Sequence, residues 1–285
     1  MNTDDKVYLG LEGIAFWRIP WLFFNLRPES SVLAGCKIHD HYDERGRQAV
    51  EIIKAHGYKV WVDYKLHDIP RTVGSRAKKL FENGADIITV MAKGGHKMVE
   101  EAVLAAQNFD PPRLVYVVTV LTSLTEEEYG QPIGVEVESL AKMAIESGAK
   151  GVVCSGQEAI LLRKMNESEG IDIIVPGTRL SGSIENDQKR VVTPKTAILN
   201  GATHLVVASE VTRSSNPLET LSAIHYEIRD GLREKKIPDC EWCPECNLPI
   251  STTPHNCPVD RGVKGFWDLG FARPVKRLTG RFLSL

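Results

Sequence analysis

The chain has 285 residues, 42% of them hydrophobic and 25% charged, which is enough for one large α/β domain and a smaller appendage. Its formal net charge of −2 provides no overall basic field, so the composition argues against nucleic acid as a partner. The acidic start at 1–5 is unlike a secretory signal, and the apolar stretch 14–26 is too short to span a bilayer. We therefore expect a cytoplasmic protein with no membrane partner.

Short apolar runs alternate along the chain with amphipathic stretches of helical period. The runs predict eight β-strands, at residues 6–11, 31–38, 58–65, 86–91, 113–120, 151–154, 172–175 and 204–208. The helical patterns predict helices at 44–56, 71–83, 96–108, 135–147, 157–165, 193–200 and 217–233. Eight such units in roughly 230 residues predict a closed (β/α)8 barrel, that is, a TIM barrel. An open doubly wound sheet would show the same alternation, but no glycine-rich dinucleotide fingerprint follows the first strand.

The composition changes near Lys235, where Pro, Cys, Asn, Ser and Thr replace the periodic patterns. We expect a barrel domain at 1–235 and a small C-terminal zinc-binding extension at 236–285. Four cysteines crowd into eighteen residues of this extension: Cys240, Cys243, Cys246 and Cys257. In a cytosolic protein such clustering favours a metal over disulfides. Four thiolates, or three with His255, would hold a structural zinc ion, although the spacing also suits an iron–sulfur cluster and free thiols remain an alternative.

A charged segment begins at the end of the third predicted strand and covers residues 63–70. Asp63 and Lys65 are two residues apart, so on a strand they point to the same face. Asp68 lies past the strand, where Pro70 opens a helix. Alternating acid and base at the carboxyl end of a barrel strand is typical of an active site, whereas a solvated surface ion pair is the alternative interpretation.

This segment resembles the hallmark of the orotidine 5'-monophosphate decarboxylase family, Asp-x-Lys-x-x-Asp-Ile-x-x-Thr, with every fixed position filled as far as Thr72. Further blocks similar to those of the family follow in the same order, at 84–95, 118–123, 151–155, 176–179 and 187–194. The resemblance covers roughly residues 33 to 231 and does not extend into the cysteine-rich appendage.

The resemblance implies a metal-independent carboxy-lyase of pyrimidine biosynthesis that converts orotidine 5'-monophosphate to uridine 5'-monophosphate and needs no cofactor. It implies an alternating Lys-Asp-Lys-Asp array, in which Lys65 protonates C6 of the pyrimidine; here the array would be Lys37, Asp63, Lys65 and Asp68. It further implies a homodimer in which Asp68 and Thr72 reach the neighbouring subunit's site. Contacts to the nucleotide would come from Thr72, Ser123, Pro176, Gly177, Arg179 and Gln188.

Several positions depart from the family's pattern. The family's eighth strand ends in Gly-Arg, and Ser209 stands where that arginine grips the phosphate. Glu210 follows it, and a carboxylate near a phosphate is repulsive. Glu12 is the one acid near the place of the family's first-strand aspartate, and His39 replaces a glycine after Lys37. Two other functions therefore stay open: a Mg²⁺-dependent sugar-phosphate lyase or decarboxylase, and a catalytically weak nucleotide-binding or interaction module.

Overall fold

The computed structural model describes residues 4–165, 170–181 and 191–235. The chain divides into two units, Met1–Glu234 and Lys235–Leu285. Gln188, His255 and the four clustered cysteines lie outside the described residues, and with them the predicted zinc site.

Eight parallel strands close into a barrel in the order in which they occur along the chain, and the last pairs with the first. They are β1 (Val7–Gly10), β2 (Leu33–Ile38), β3 (Val60–Leu66), β4 (Ile87–Met91), β5 (Leu114–Val118), β6 (Gly151–Val153), β7 (Asp172–Pro176) and β8 (His204–Val207). Every strand lies within two residues of the predicted bounds at each end. The closed ring confirms the barrel and excludes the open doubly wound sheet.

Helices follow the strands and cover the outside of the barrel. They are α1 (Ile19–Leu26), α2 (Asp40–Arg45), α3 (Arg47–Ala55), α4 (Pro70–Glu82), α5 (His96–Gln107), α6 (Glu126–Tyr129), α7 (Ile133–Glu146), α8 (Ala159–Lys164), α9 (Pro194–Leu199), α10 (Ser209–Thr212) and α11 (Pro217–Lys235). The helix predicted at 44–56 is confirmed as α3, but its predicted start is wrong: Gly46, with φ +53° and ψ −128°, separates α2 from α3. None of the helices in the described part of the chain is long and apolar enough to cross a membrane.

Three aromatic side chains lie in the lower interior of the barrel, in a buried cluster with smaller aliphatic residues. Trp61 packs edge-on against Tyr8 and Tyr116, with ring centroids 5.1 and 5.3 Å apart, and all three side chains are buried. The hydroxyls of Tyr8 and Tyr116 are 3.0 Å apart and share a hydrogen bond. Because Trp61 precedes Asp63 by two residues on β3, this packed layer lies beneath the carboxyl ends of the strands, where the charged segment emerges.

Candidate active site

A cavity of about 270 Å³ opens at the carboxyl ends of the strands. The cavity is lined by charged side chains from β2 and β3, by apolar side chains at its floor and by a segment that follows β5. The lining residues are Lys37, Asp63 and Lys65, then Trp61, Val118, Val153 and Val206, then Leu121, Thr122, Ser123 and Pro176. A charged edge over an apolar floor suits a planar ring with one polar side.

The charged side chains form a chain of alternating sign. Glu12, in the segment after β1, forms an ion pair with Lys37 on β2. Lys37 Nζ also lies 3.0 Å from Asp63 Oδ2, and Lys65 Nζ lies 2.8 Å from that same oxygen. The structure therefore brings three of the four predicted array residues together and adds Glu12, which the sequence offered only as a poor match to a missing aspartate.

Lys65 reaches Asp63 through a bulge and not through regular strand alternation. The pairing of β3 with β4 shifts register between Val62 and Leu66, and Lys65 has φ +48°. A non-glycine residue in this left-handed region costs on the order of 1–3 kcal/mol and persists where its surroundings fix it. Thr89 on β4 helps to fix it, because its hydroxyl accepts the Lys65 N–H at 3.2 Å and donates to Asp63 Oδ1 at 2.6 Å.

Sequence reasoning missed Thr89. The only available signal was a hydroxyl inside an otherwise apolar strand, where the side chain is fully buried. A buried hydroxyl of this kind needs a partner, which the charged segment on the neighbouring strand supplies.

The cost of burying these charged side chains is offset by the ion pairs that they form with one another. Burial alone would raise the pKa of Asp63, but the ammonium groups of Lys37 and Lys65 and two hydrogen bonds hold that pKa well below its ordinary value. Burial likewise opposes the charged form of Lys37, yet the carboxylates of Asp63 and Glu12 outweigh it and raise the pKa of Lys37. Asp63 and Lys37 are therefore both ionised near neutral pH.

Asp68 stands apart from this chain of charges. Its side chain is exposed, and its Oδ1 accepts the backbone N–H of Ile69 at 2.7 Å. Within the described residues no ion pair joins it to Lys65. Ile69 is 66% exposed and Thr72 is half-buried in the first turn of α4. The chain by itself thus brings Lys37, Asp63 and Lys65 together and leaves Asp68 exposed.

The predicted nucleotide contacts divide into two groups. Ser123 and Pro176 line the cavity, whereas Gly177 and Arg179 follow Pro176 without lining it. Gly177 has φ +72°, which turns the chain sharply at the end of β7. Arg179 donates from Nη1 to the carbonyl of the preceding Thr178 at 2.9 Å.

Glu210 anchors the segment that follows β7. Its Oε1 accepts the backbone N–H of Leu180 at 2.9 Å, so this carboxylate ties the start of α10 to that segment. Ser209, the first residue of α10, stands at the carboxyl end of β8 and brings no cation to the rim of the barrel.

Replacing Asp63 by asparagine should lower the free energy of unfolding by about 3 kcal/mol, because it leaves two lysines around a neutral amide. Chemical denaturation of the two proteins measures this difference. The matched control is Asp110→Asn, the same change at an exposed carboxylate, which should stay within about 0.5 kcal/mol of wild type. Equal losses of unfolding free energy at the two positions would mean that the ion pairs of Asp63 contribute nothing to folding.

Comparison with known proteins relates the barrel to one protein family. The profile of the "Orotidine 5'-phosphate decarboxylase / HUMPS family" matches residues 34–224. An orotidine 5'-phosphate decarboxylase from Laribacter hongkongensis is 40% identical over 184 residues, which are 63% of this chain and 76% of that protein. Another from Prochlorococcus marinus is 35% identical over 238 residues, 80% of this chain and 98% of that protein. The crystal structure of orotidine 5'-phosphate decarboxylase from Lactobacillus acidophilus superposes with a TM-score of 0.66 at 29% identity, covering 78% of this chain and 98% of that one.

Proposed function

The chain belongs to the orotidine 5'-phosphate decarboxylase / HUMPS family, and on that premise we propose that it decarboxylates orotidine 5'-monophosphate to uridine 5'-monophosphate. This makes it a carboxy-lyase of pyrimidine biosynthesis. The observation that carries the proposal is the ion-paired group Lys37–Asp63–Lys65 in the wall of the cavity, with both lysines on one oxygen of Asp63.

The chemistry requires such a group. When the bond between C6 and the carboxylate breaks, CO₂ leaves and the electron pair stays on C6 as a carbanion that the ring's π system does not delocalise. Preorganised charge is then the main means of stabilising the transition state. The Lys65 ammonium stabilises the developing carbanion and transfers a proton from Nζ to C6. Asp63 stands near the substrate carboxylate and is relieved of that repulsion as CO₂ departs.

The reaction we propose uses no metal and no organic cofactor. The structural zinc ion that we also propose is held by the appendage at 236–285 and takes no part in the reaction. The purified full-length protein should release CO₂ from orotidine 5'-monophosphate at the same rate with and without a chelator. Metal analysis of the untreated protein should find about one zinc per chain, held by Cys240, Cys243, Cys246 and Cys257.

The test separates the proposal from its competitors. A Mg²⁺-dependent lyase or decarboxylase would lose its activity on chelation and regain it with Mg²⁺. A binding module would hold uridine monophosphate without releasing CO₂ from the substrate. An iron–sulfur cluster in place of zinc would be revealed by its iron content and visible absorbance.

The subunit arrangement and the compartment are also part of the proposal. A homodimer would give the exposed Asp68 and Ile69 a surface to contact, with Asp68 and Thr72 completing the neighbouring subunit's site. We place the protein in the cytoplasm, in keeping with an appendage whose clustered thiols need a reducing compartment to bind metal.

The phosphate of the nucleotide should be held more weakly than is typical, because Ser209 supplies no charge at the end of β8. Ser209→Arg should tighten the binding of uridine 5'-monophosphate roughly 10- to 100-fold, the worth of one charge-assisted phosphate contact. Isothermal titration calorimetry measures the change. Ser215→Arg, which adds the same charge at an exposed position nearby, is the control and should alter the affinity by less than about threefold.

An unchanged or weaker affinity in Ser209→Arg would contradict this assignment. It would mean that another cation already binds the phosphate, or that the cavity does not hold a phosphate at the end of β8.

A further inference from the structure

The segment between β5 and α7 forms one side of the cavity. Its first part carries Leu121, Thr122 and Ser123, which line the cavity, and its second part forms the short helix α6. The side chains of Leu121 and Ser123 are exposed, so packing fixes this wall only weakly. A four-residue helix is not stable by itself and needs tertiary contacts. The position of the three lining residues therefore depends on what holds α6 against the barrel.

Polar contacts join α6 to the start of α7. Thr125 and Glu128 form a capping box at the start of α6, in which each side chain accepts the other residue's backbone N–H, at 3.2 and 2.9 Å. Glu126 Oε1 accepts the backbone N–H of Ile133, the first residue of α7, at 3.0 Å. A contact made to the start of either helix therefore helps to position both.

Lys93 connects these two helices to the neighbouring strand. It lies in the short turn Ala92–Gly94 that follows β4, and its Nζ is 2.9 Å from Glu136 Oε1 and 4.9 Å from the centre of the Tyr129 ring. The Tyr129 hydroxyl donates to the same oxygen of Glu136 at 3.3 Å. Because Tyr129 ends α6 and Glu136 lies in the first turn of α7, Lys93 contacts both helices. We call this group the Lys93 clamp.

The charges of the Lys93 clamp support each other. Tyr129 and Glu136 raise the pKa of Lys93, and the hydrogen bond from Lys93 lowers the pKa of Glu136. The side chains of Lys93 and Glu136 are 43% and 27% exposed, so solvent screens the ion pair, and the contact with the Tyr129 ring adds to it. A clamp of this strength shifts the position of a loop by a small factor and is not needed for the barrel to fold.

We propose that Lys93 is a positioning residue: through Tyr129 and Glu136 it holds the segment after β5 in place, and with it Ser123 in the wall of the cavity. When the clamp is broken, the substrate must reorder the segment as it binds, which weakens the apparent binding. KM then rises, whereas kcat of the bound complex stays the same. The kinetic part of this inference rests on the proposed decarboxylation, and its structural part does not.

The first test is kinetic. Lys93→Met removes the ammonium group and keeps most of the side chain's length, and it should raise KM for orotidine 5'-monophosphate roughly two- to fivefold with kcat within about 1.5-fold. Lys97→Met is the matched control, because Lys97 is an exposed lysine in the first turn of the next helix, α5. It should leave KM within about 1.5-fold. An unchanged KM in Lys93→Met, or equal increases in both variants, would overturn the proposal.

A second variant separates the clamp from a direct contact with the substrate. Glu136→Gln should raise KM by the same factor as Lys93→Met, and the double variant should be no worse than either single one. Loss of a carboxylate would, on charge alone, favour an anionic substrate, so the expected rise has the opposite sign to that effect. A lysine that itself bound the substrate would be released by Glu136→Gln. An unchanged or lower KM, or additive increases in the double variant, would therefore contradict the clamp.

Hydrogen exchange tests the inference without any activity. In the ligand-free full-length protein, the backbone amides of 121–133 should exchange at least about threefold faster in Lys93→Met and Glu136→Gln than in the wild type and Lys97→Met. Those of α11 should exchange equally in all four proteins, which reports an intact barrel. Equal exchange of 121–133 in all four would overturn the proposal. If the wild type releases no CO₂, the proposed function fails, and the exchange rates still decide whether Lys93 holds the segment.

Discussion

Lys65→Ala is expected to abolish the release of CO₂ while leaving the barrel folded. The change removes both the ammonium that stabilises the carbanion at C6 and the proton that C6 takes up. General acid catalysis and preorganised charge each contribute on the order of a hundredfold or more, so a loss of at least roughly a thousandfold follows. The decrease in orotidine monophosphate absorbance measures the rate, and thermal unfolding followed by circular dichroism reports on the fold.

Lys54→Ala is the matched control for this experiment. Lys54 is 36% exposed and Lys65 is 39% exposed, and each forms an ion pair with an aspartate, in the first case Asp86 at 2.9 Å. Lys54 lies at the end of α3 and does not line the cavity, so its removal should change the rate by less than about twofold. A Lys65→Ala protein that decarboxylates at nearly the wild-type rate would show that the assignment of the reaction or of the proton donor is wrong.

The period of the apolar residues and the order of the strand and helix patterns along the chain were enough to predict the barrel. Each strand is an apolar run between turn residues, and a parallel strand buried on both sides gives the strongest such signal. The bounds of a helix could not be predicted where a single residue determines them, nor the presence of a helix where the segment is very short. Gly46 stops α2 through a backbone conformation that no periodicity reveals, and α6 and α10 have four residues each, too few to show a helical period.

The candidate site was predicted only in part, for a physical reason. Asp63 and Lys65 are close in sequence, so their contact could be expected, but the bulge that produces it depends on Thr89 of the next strand. The contact between Glu12 and Lys37 joins residues 25 apart. The Glu12 carboxylate lies beside Gly10, where a Cβ atom would be 2.6 Å from Glu12 Oε2, and this proximity is a property of the folded barrel and not of any local pattern.

Two inactive variants should restore activity when they form dimers with each other, and this result would locate Asp68 in the neighbouring subunit's site. Asp68→Ala is expected to be inactive by itself, because the proposed array then lacks its second carboxylate. When Lys65→Ala and Asp68→Ala chains are refolded together, a symmetric dimer leaves about a quarter of all sites with both residues intact. Decarboxylation should return to a corresponding fraction of the wild-type rate.

The control for this experiment uses two residues of the same site. Asp63 and Lys65 lie 2.8 Å apart within one chain, so dimers of Asp63→Ala with Lys65→Ala contain no intact site and should stay inactive. The exposed carboxylate of Asp68 and the exposed side chain of Ile69 are what a shared interface would cover. Asp68 would then gain the low-dielectric surroundings in which its charge acts strongly on a neighbouring lysine. A mixture of Lys65→Ala and Asp68→Ala that stays inactive would place Asp68 in the site of its own chain. A wild-type monomer that is fully active at nanomolar concentration would likewise exclude a site shared between subunits.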